Sequence, residues 1–264
     1  MSEWILSETP GYVRLAPRAE GFTPIAAFST RPGGTSAAPF DTLNLSEGVG
    51  DDPRAVRENR RRLLAALGLE QARVAYVRQV HGAACRLPVG PGDAGEGDAL
   101  AVFEPGLSLA VGVADCLPVL LWDRHGRGVA AAHAGWRGTL AGVVRAALEA
   151  LASRGIGAPD LGAALGPRIC PCCFVVGPEV LELFPSSDRT ETPAGTTVNL
   201  AQAVTRQLLD AGVPRSRVQD LGWCTACAPE RLFSHRRDRG RTGRHWGVVA
   251  LHPARERAAF EPAV

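Results

Sequence analysis

Short apolar runs punctuate the chain at residues 74–80, 107–113, 119–122, 129–133, 161–165, 218–221 and 247–251, each bounded by Gly, Pro or Asp. Their brevity and their wealth of Val, Leu and Ala predict strands. Elsewhere the apolar spacing lengthens to a helical period. Asp52-Pro53 caps and opens a helix through Leu67 that Gly68 closes. Leu140, Val143, Val144, Ala147, Leu148 and Leu151 share one face of a helix starting near Thr139 and ending before Gly155. Asn199 caps a third, carrying Leu200, Val204 and Leu208 and stopping at Gly212. Strands interleaved with helices predict a layered α/β or α+β fold, with the sheet order left open. No low-complexity linker or short-period repeat interrupts the pattern, so residues 1–264 are expected to form one unit.

Composition narrows the partners. The chain is 45% hydrophobic and 21% charged with a formal net charge of +2, too small to draw it to nucleic acid or a membrane surface. All basic residues are Arg, which a GC-rich coding bias explains before any taste for phosphate does. The start, Met1 to Tyr12, lacks the basic region and apolar run of a signal peptide, and no run approaches the ~20 apolar residues of a membrane span. The expected location is the cytoplasm. Seven cysteines there point to metal, catalysis or burial rather than to disulfides.

Three of these runs end in metal-binding residue types. His81 closes the first and is followed by Gly82; Cys116 stands in Val113-Ala114-Asp115-Cys116-Leu117-Pro118; His133 closes a run that turns at once into Ala134-Gly135-Trp136-Arg137-Gly138. If those strand ends meet, they deliver two imidazoles and a thiolate, a known catalytic zinc set that leaves the fourth position open. The spacing of 35 and then 17 residues matches no compact zinc-finger pattern, and a buried thiol or a hydrogen-bonded structural His explains each residue taken alone. Cys116 with His133 also reads as the nucleophile and base of a metal-free hydrolase. Two imidazoles and a thiolate suit a blue-copper centre, yet a multicopper laccase needs many more imidazoles than six histidines, with His125 in a turn, supply. Cys170, Cys172 and Cys173, with Cys224 and Cys227, contain two Cys-x-x-Cys pairs that suit a tetrathiolate zinc site. The 54 residues between Cys170 and Cys224 are long for a zinc ribbon, and thiols buried in loops are the plainer account. As the sole metal site it would favour a non-enzymatic, zinc-binding protein.

The chain resembles the YfiH family, also called the laccase-domain or polyphenol-oxidase family, in Gln79-Val80-His81-Gly82, Gly97-Asp98-Ala99-Leu100, Ala114-Asp115-Cys116-Leu117-Pro118 and Ala132-His133-Ala134-Gly135-Trp136-Arg137-Gly138. The likeness extends through Asn44-Leu45-Ser46, Gly50-Asp51-Asp52, Leu165-Gly166-Pro167, Cys172-Cys173-Phe174, Phe233-Ser234 with Arg236-Arg237, and Thr242-Gly243-Arg244, nearly the whole chain. It implies an αββα layered fold and a zinc site at His81, Cys116 and His133, with copper the weaker choice. It also implies phosphorolysis of adenosine, inosine or 5′-methylthioadenosine, with adenosine deamination alongside. Some members are instead named peptidoglycan editing factors, to which the hydrolase alternative would correspond. For phosphate the candidates in matching segments are Arg60, Arg137, Arg236 and Arg237. Asp98 and Asp115 would orient a ligating His or contact ribose, and Asn44 would hold the purine or cap a turn. The chain departs from the family at His235, where Tyr is usual, at Arg168, where a small residue is usual, and at His245, where an apolar one is. A flap over the site is expected at residues 91–97, rich in Gly and acid.

Overall fold

The computed structural model describes residues 4–17, 23–70 and 73–251. Its strands are β1 (Trp4–Thr9), β2 (Tyr12–Pro17), β3 (Ile25–Ser29), β4 (Val74–Arg78), β5 (Cys85–Arg86), β6 (Gly92–Glu96), β7 (Ala99–Val102), β8 (Ser108–Val113), β9 (Leu117–Asp123), β10 (Val129–Ala134), β11 (Leu161–Leu165), β12 (Arg189–Thr192), β13 (Gly195–Val198), β14 (Val218–Asp220) and β15 (His245–Ala250). The helices are α1 (Pro53–Ala66), α2 (Trp136–Ala141), α3 (Val143–Ala152), α4 (Pro178–Leu181) and α5 (Leu200–Asp210). A seven-stranded sheet runs β1-β2-β3-β15-β8-β4-β6, a six-stranded sheet runs β14-β11-β9-β10-β7-β5, and β12 pairs with β13. Both large sheets mix parallel and antiparallel neighbours.

The layers follow from strands that are apolar on both faces. In β9, Leu120 and Trp122 face a core shared with Phe28, Leu109, Val111 and Val249 of the other sheet. Their neighbours Val119 and Leu121 face the opposite way, onto Val144, Leu151, Val204 and Leu208 of α3 and α5. The outer face of the larger sheet, with Ala27, Ala110 and Val248, is covered by Leu63 and Leu64 of α1. The order helix, sheet, sheet, helices is the expected αββα arrangement. Burial on both sides explains why the central strands read as continuous apolar runs rather than alternating ones.

Two expectations are corrected. The helix expected from near Thr139 is two helices, because Gly142 has φ 87°, a left-handed conformation that ends α2 and starts α3. Within residues 91–97, Gly92–Glu96 forms edge strand β6, paired in parallel with β4, rather than a flap. No helix among the described residues is long and apolar enough to cross a membrane.

Candidate metal centre

Strand β10 organises the centre from both sides. Its antiparallel neighbour β7 begins just after Asp98, and the register places Ala99 opposite Ala132. The His133 N–H therefore donates to the Asp98 carbonyl at 2.7 Å, and His133 Nδ1 lies 2.8 Å from Asp98 Oδ1. On the other side β9 begins just after Cys116, with Leu117 opposite Ala134. Gly135 thus passes the thiol so closely that a Cβ there would stand 2.8 Å from Cys116 Sγ and 3.3 Å from His81 Cδ2.

His81 reaches the same point from the loop after β4. Its φ of 59° is uncommon for a non-glycine residue, as is the 89° of Asp115 beside Cys116. The His81 turn is held by Asp98, whose carboxylate accepts from the backbone N–H groups of Val80, His81 and Gly82 at 3.2, 3.0 and 2.7 Å. One fully buried carboxylate thereby positions the backbone of one imidazole residue and the ring of the other. The two rings meet edge to face with centroids 4.9 Å apart.

The donor atoms of His81, Cys116 and His133 all lie within 4.8 Å of one another, so the set can hold a metal ion. The donor chemistry fits one. Asp98 engages Nδ1 of His133 and leaves Nε2 for ligation, the usual carboxylate–histidine pattern behind a bound metal. Burial opposes charge on Cys116, but the two histidines outweigh it and bring the thiol down to about 6. Burial likewise opposes charge on His133, yet Cys116 and Asp98 raise it to about 9. A metal ion would take the place of the His133 proton and meet the thiolate directly. His81 is exposed, so the open side of the set faces solvent.

The other expected residues divide. Asp115 is buried; its carboxylate accepts from Thr225 Oγ1 and from the Arg236 N–H, each at 2.6 Å, so it braces the Cys116 turn. Asn44 is fully buried and its amide is fully occupied, donating to the Ser46 carbonyl and Asp51 and accepting from the Ser46 and Arg244 N–H groups. Arg60 binds the Leu45 carbonyl and stacks on Trp246, on the α1 side of the larger sheet. Arg237 is committed to Asp238 and to the Thr225 and Leu232 carbonyls. Arg236 is exposed, donates to the Val175 carbonyl and lies over Phe174.

Arg137, in the first turn of α2 and two residues beyond Gly135, is exposed, and its guanidinium lies over the ring of Trp136 at 4.1 Å. Sequence reasoning missed Arg244, whose half-buried guanidinium is lowered by burial and feels Asp115 and Cys116. Its segment, Thr242-Gly243-Arg244, was the only available signal. Arg244 Nη2 lies 3.5 Å from His235 Nδ1, so the unusual His stands beside it. Arg168 is explained by a bidentate pair with Asp220 at 2.6 and 2.8 Å.

A layered α+β fold with a solvent-facing two-histidine, one-cysteine cluster between strand ends defines the class. The family model described as multi-copper polyphenol oxidoreductase laccase matches residues 25–252, and the chain belongs to that family. A protein of Deinococcus radiodurans named purine nucleoside phosphorylase is 41% identical over 235 residues, covering 87% of this chain and 90% of its own. One of the same name in Mycobacterium tuberculosis is 44% identical over 228 residues, covering 84% and 89%. The crystal structure of YlmD from Geobacillus stearothermophilus superposes with a TM-score of 0.87 at 34% identity, covering 96% of this chain and all of that one. That of Bacillus licheniformis YfiH gives 0.81 at 28%, covering 88% and 97%.

Proposed function

We propose that the protein is a zinc-dependent purine nucleoside phosphorylase acting on adenosine, inosine or 5′-methylthioadenosine, with adenosine deamination as a side activity. The observation that carries it is the convergence of His81, Cys116 and His133, backed by Asp98, with the exposed Arg137 two residues along the chain from Gly135. Relatives named purine nucleoside phosphorylase over most of the chain support the general activity. The histidines disfavour a laccase reading. Among the described residues His125 pairs with Asp160, His235 lies by Arg244, and His245 is buried against Phe233, so none joins a copper cluster at the centre.

Phosphorolysis forms a bond from a phosphate oxygen to C1′ of the ribose and breaks the C1′–N9 bond, whose electron pair leaves with the purine. Held by His81, Cys116 and His133, zinc would supply Lewis acidity at the reacting oxygen of phosphate, or of water in deamination. Arg137 binds the phosphate through a charge-assisted fork, and Arg244 adds positive potential across the cluster. Asp98 keeps the His133 ring in one orientation. A metal-free hydrolase is the second reading, because Asp98, His133 and Cys116 also line up as orienting carboxylate, base and thiol.

The test is a product assay on metal-quantified protein supplied with adenosine with and without phosphate. Phosphate-dependent release of adenine and ribose 1-phosphate, lost in His81→Ala and after chelation, is the expected result. Arg137→Ala should raise the KM for phosphate roughly tenfold or more. Phosphate-independent hydrolysis that survives metal removal supports the second reading, and a zinc-loaded protein inert to every purine nucleoside overturns the first.

A further inference from the structure

A second donor cluster lies outside the centre. Cys172 Sγ is 3.7 Å from Cys224 Sγ and 3.6 Å from Cys227 Sγ, while Cys173 Sγ is 3.4 Å from Cys227 Sγ. The four sulfurs all fall within 4.8 Å of one another, and none is in a disulfide. Around a tetrahedral zinc with Zn–S bonds of about 2.3 Å, the sulfur–sulfur edges measure about 3.8 Å. A disulfide needs about 2.05 Å. The three separations of 3.4–3.7 Å are close to those edges and far from a disulfide bond.

The fold brings these thiols together for an identifiable reason. β11 and β14 are parallel neighbours, so the loops that follow them leave the same end of the sheet side by side. Pairing continues past the strands: the Arg168 N–H donates to the Trp223 carbonyl at 3.1 Å and the Thr225 N–H to the Arg168 carbonyl at 2.9 Å. The first loop then turns on itself through Cys173 and Phe174 N–H groups that donate to the Cys170 carbonyl. Cys224 Sγ accepts from the backbone N–H of Cys170 at 3.4 Å and from that of Cys227, the pattern that stabilises a thiolate ligand in a Cys-x-x-Cys turn. The spacing in sequence suggested Cys170 with Cys173; in space Cys170 stands outside the group of four, its thiol hydrogen-bonded to Cys224 and 3.8 Å from the Arg168 and Gly222 carbonyls.

We propose that Cys172, Cys173, Cys224 and Cys227 form a closed tetrathiolate site for zinc, separate from the centre at His81, Cys116 and His133. Each thiol gives up its proton to solvent as the ion binds, and four protein ligands leave no open position, so the site is structural rather than catalytic. Its effect reaches the first centre through Thr225, which lies between Cys224 and Cys227 and donates to Asp115, the neighbour of Cys116. The Ile169 N–H donates to the Asp115 carbonyl from the other loop at 2.9 Å. An ion clamping the two loops thus fixes both supports of the turn that presents Cys116.

The test uses the full chain, purified under reducing conditions and loaded with Zn2+ or Co2+. Wild type should bind two equivalents and His81→Ala one. The cobalt form of His81→Ala should keep the intense sulfur-to-metal charge-transfer band of a tetrathiolate. That band should vanish in His81→Ala/Cys172→Ser. In zinc-loaded His81→Ala the four thiols should resist alkylation until a strong chelator is added. The proposal is overturned if His81→Ala binds neither ion and its thiols alkylate freely, or if mass spectrometry finds a disulfide among the four in zinc-supplemented protein. These readouts are metal content and thiol chemistry, so they stand or fall apart from any phosphorylase activity.

Discussion

The weight carried by single side chains in this protein is set by their acceptors. Asp98 Oδ1 serves the His81 N–H and the His133 ring, and Oδ2 serves the Val80 and Gly82 N–H groups. Asp98→Asn keeps the shape but must turn an amide NH2 toward one of these donor pairs. Metal affinity, read by competition with a chelator, should fall about 10- to 100-fold, and stability by about 1–3 kcal/mol for a buried donor left unpaired. Unchanged metal affinity would remove Asp98 from the centre. At this scale the sequence was partly legible. His81, Cys116 and His133 stood out because each ends or follows an apolar run beside Gly or Pro. Asn44 and Arg237 looked equally suitable for a substrate, and the hydrogen bonding that occupies both is encoded by no local pattern. The bond from the Arg244 N–H to Asn44 Oδ1 spans 200 residues, and that distance also hid Arg244.

At the scale of elements, two glycines flanking α2 do different work. Gly135 joins β10 to α2 and has no room for a Cβ against Cys116 and His81. Gly142 has room limited only by the flexible end of Arg145, but it needs a left-handed backbone. Gly135→Ala should therefore displace the donor set and lower metal occupancy. Gly142→Ala should retain the metal and lose about 1–2 kcal/mol of stability. Metal analysis and urea unfolding of the pair separate the two effects, and equal metal loss in both variants would contradict the assignment. The break at Gly142 was hidden because Leu140 and Val143 to Leu151 keep a helical spacing across it, and spacing does not report φ. Strand β6 was hidden for the opposite reason. Gly92–Glu96 carries no apolar pattern at the sheet edge, and its strand conformation comes from pairing with β4. The central strands, buried on both faces, were legible because burial itself writes the apolar run.

At the scale of the whole molecule, β15 lies inside the larger sheet between β3 and β8, and His245 at its start is almost entirely buried. Its Nε2 accepts from the Phe233 N–H at 2.7 Å, which requires the neutral ring. Burial, reinforced by Arg244, Arg31 and Arg237, lowers His245 from 6.5 to about 3. Below about pH 6.5 the unfolded chain therefore takes up a proton that the native chain refuses. Native stability contributed by the neutral ring is present above that pH and declines as pH falls toward 3. Between pH 7.5 and pH 5 the loss from this one group is about 2 kcal/mol. His245→Leu cannot titrate, so its urea-unfolding free energy should fall less over the same interval, by about that amount. Carboxylates such as Asp98 and Asp123, also lowered in the native state, steepen the acid limb equally in both proteins and cancel in the comparison. Parallel curves for the two proteins would show that the sheet tolerates a charged His245, and with it that the two-layer core is wetter at β15 than its burial indicates.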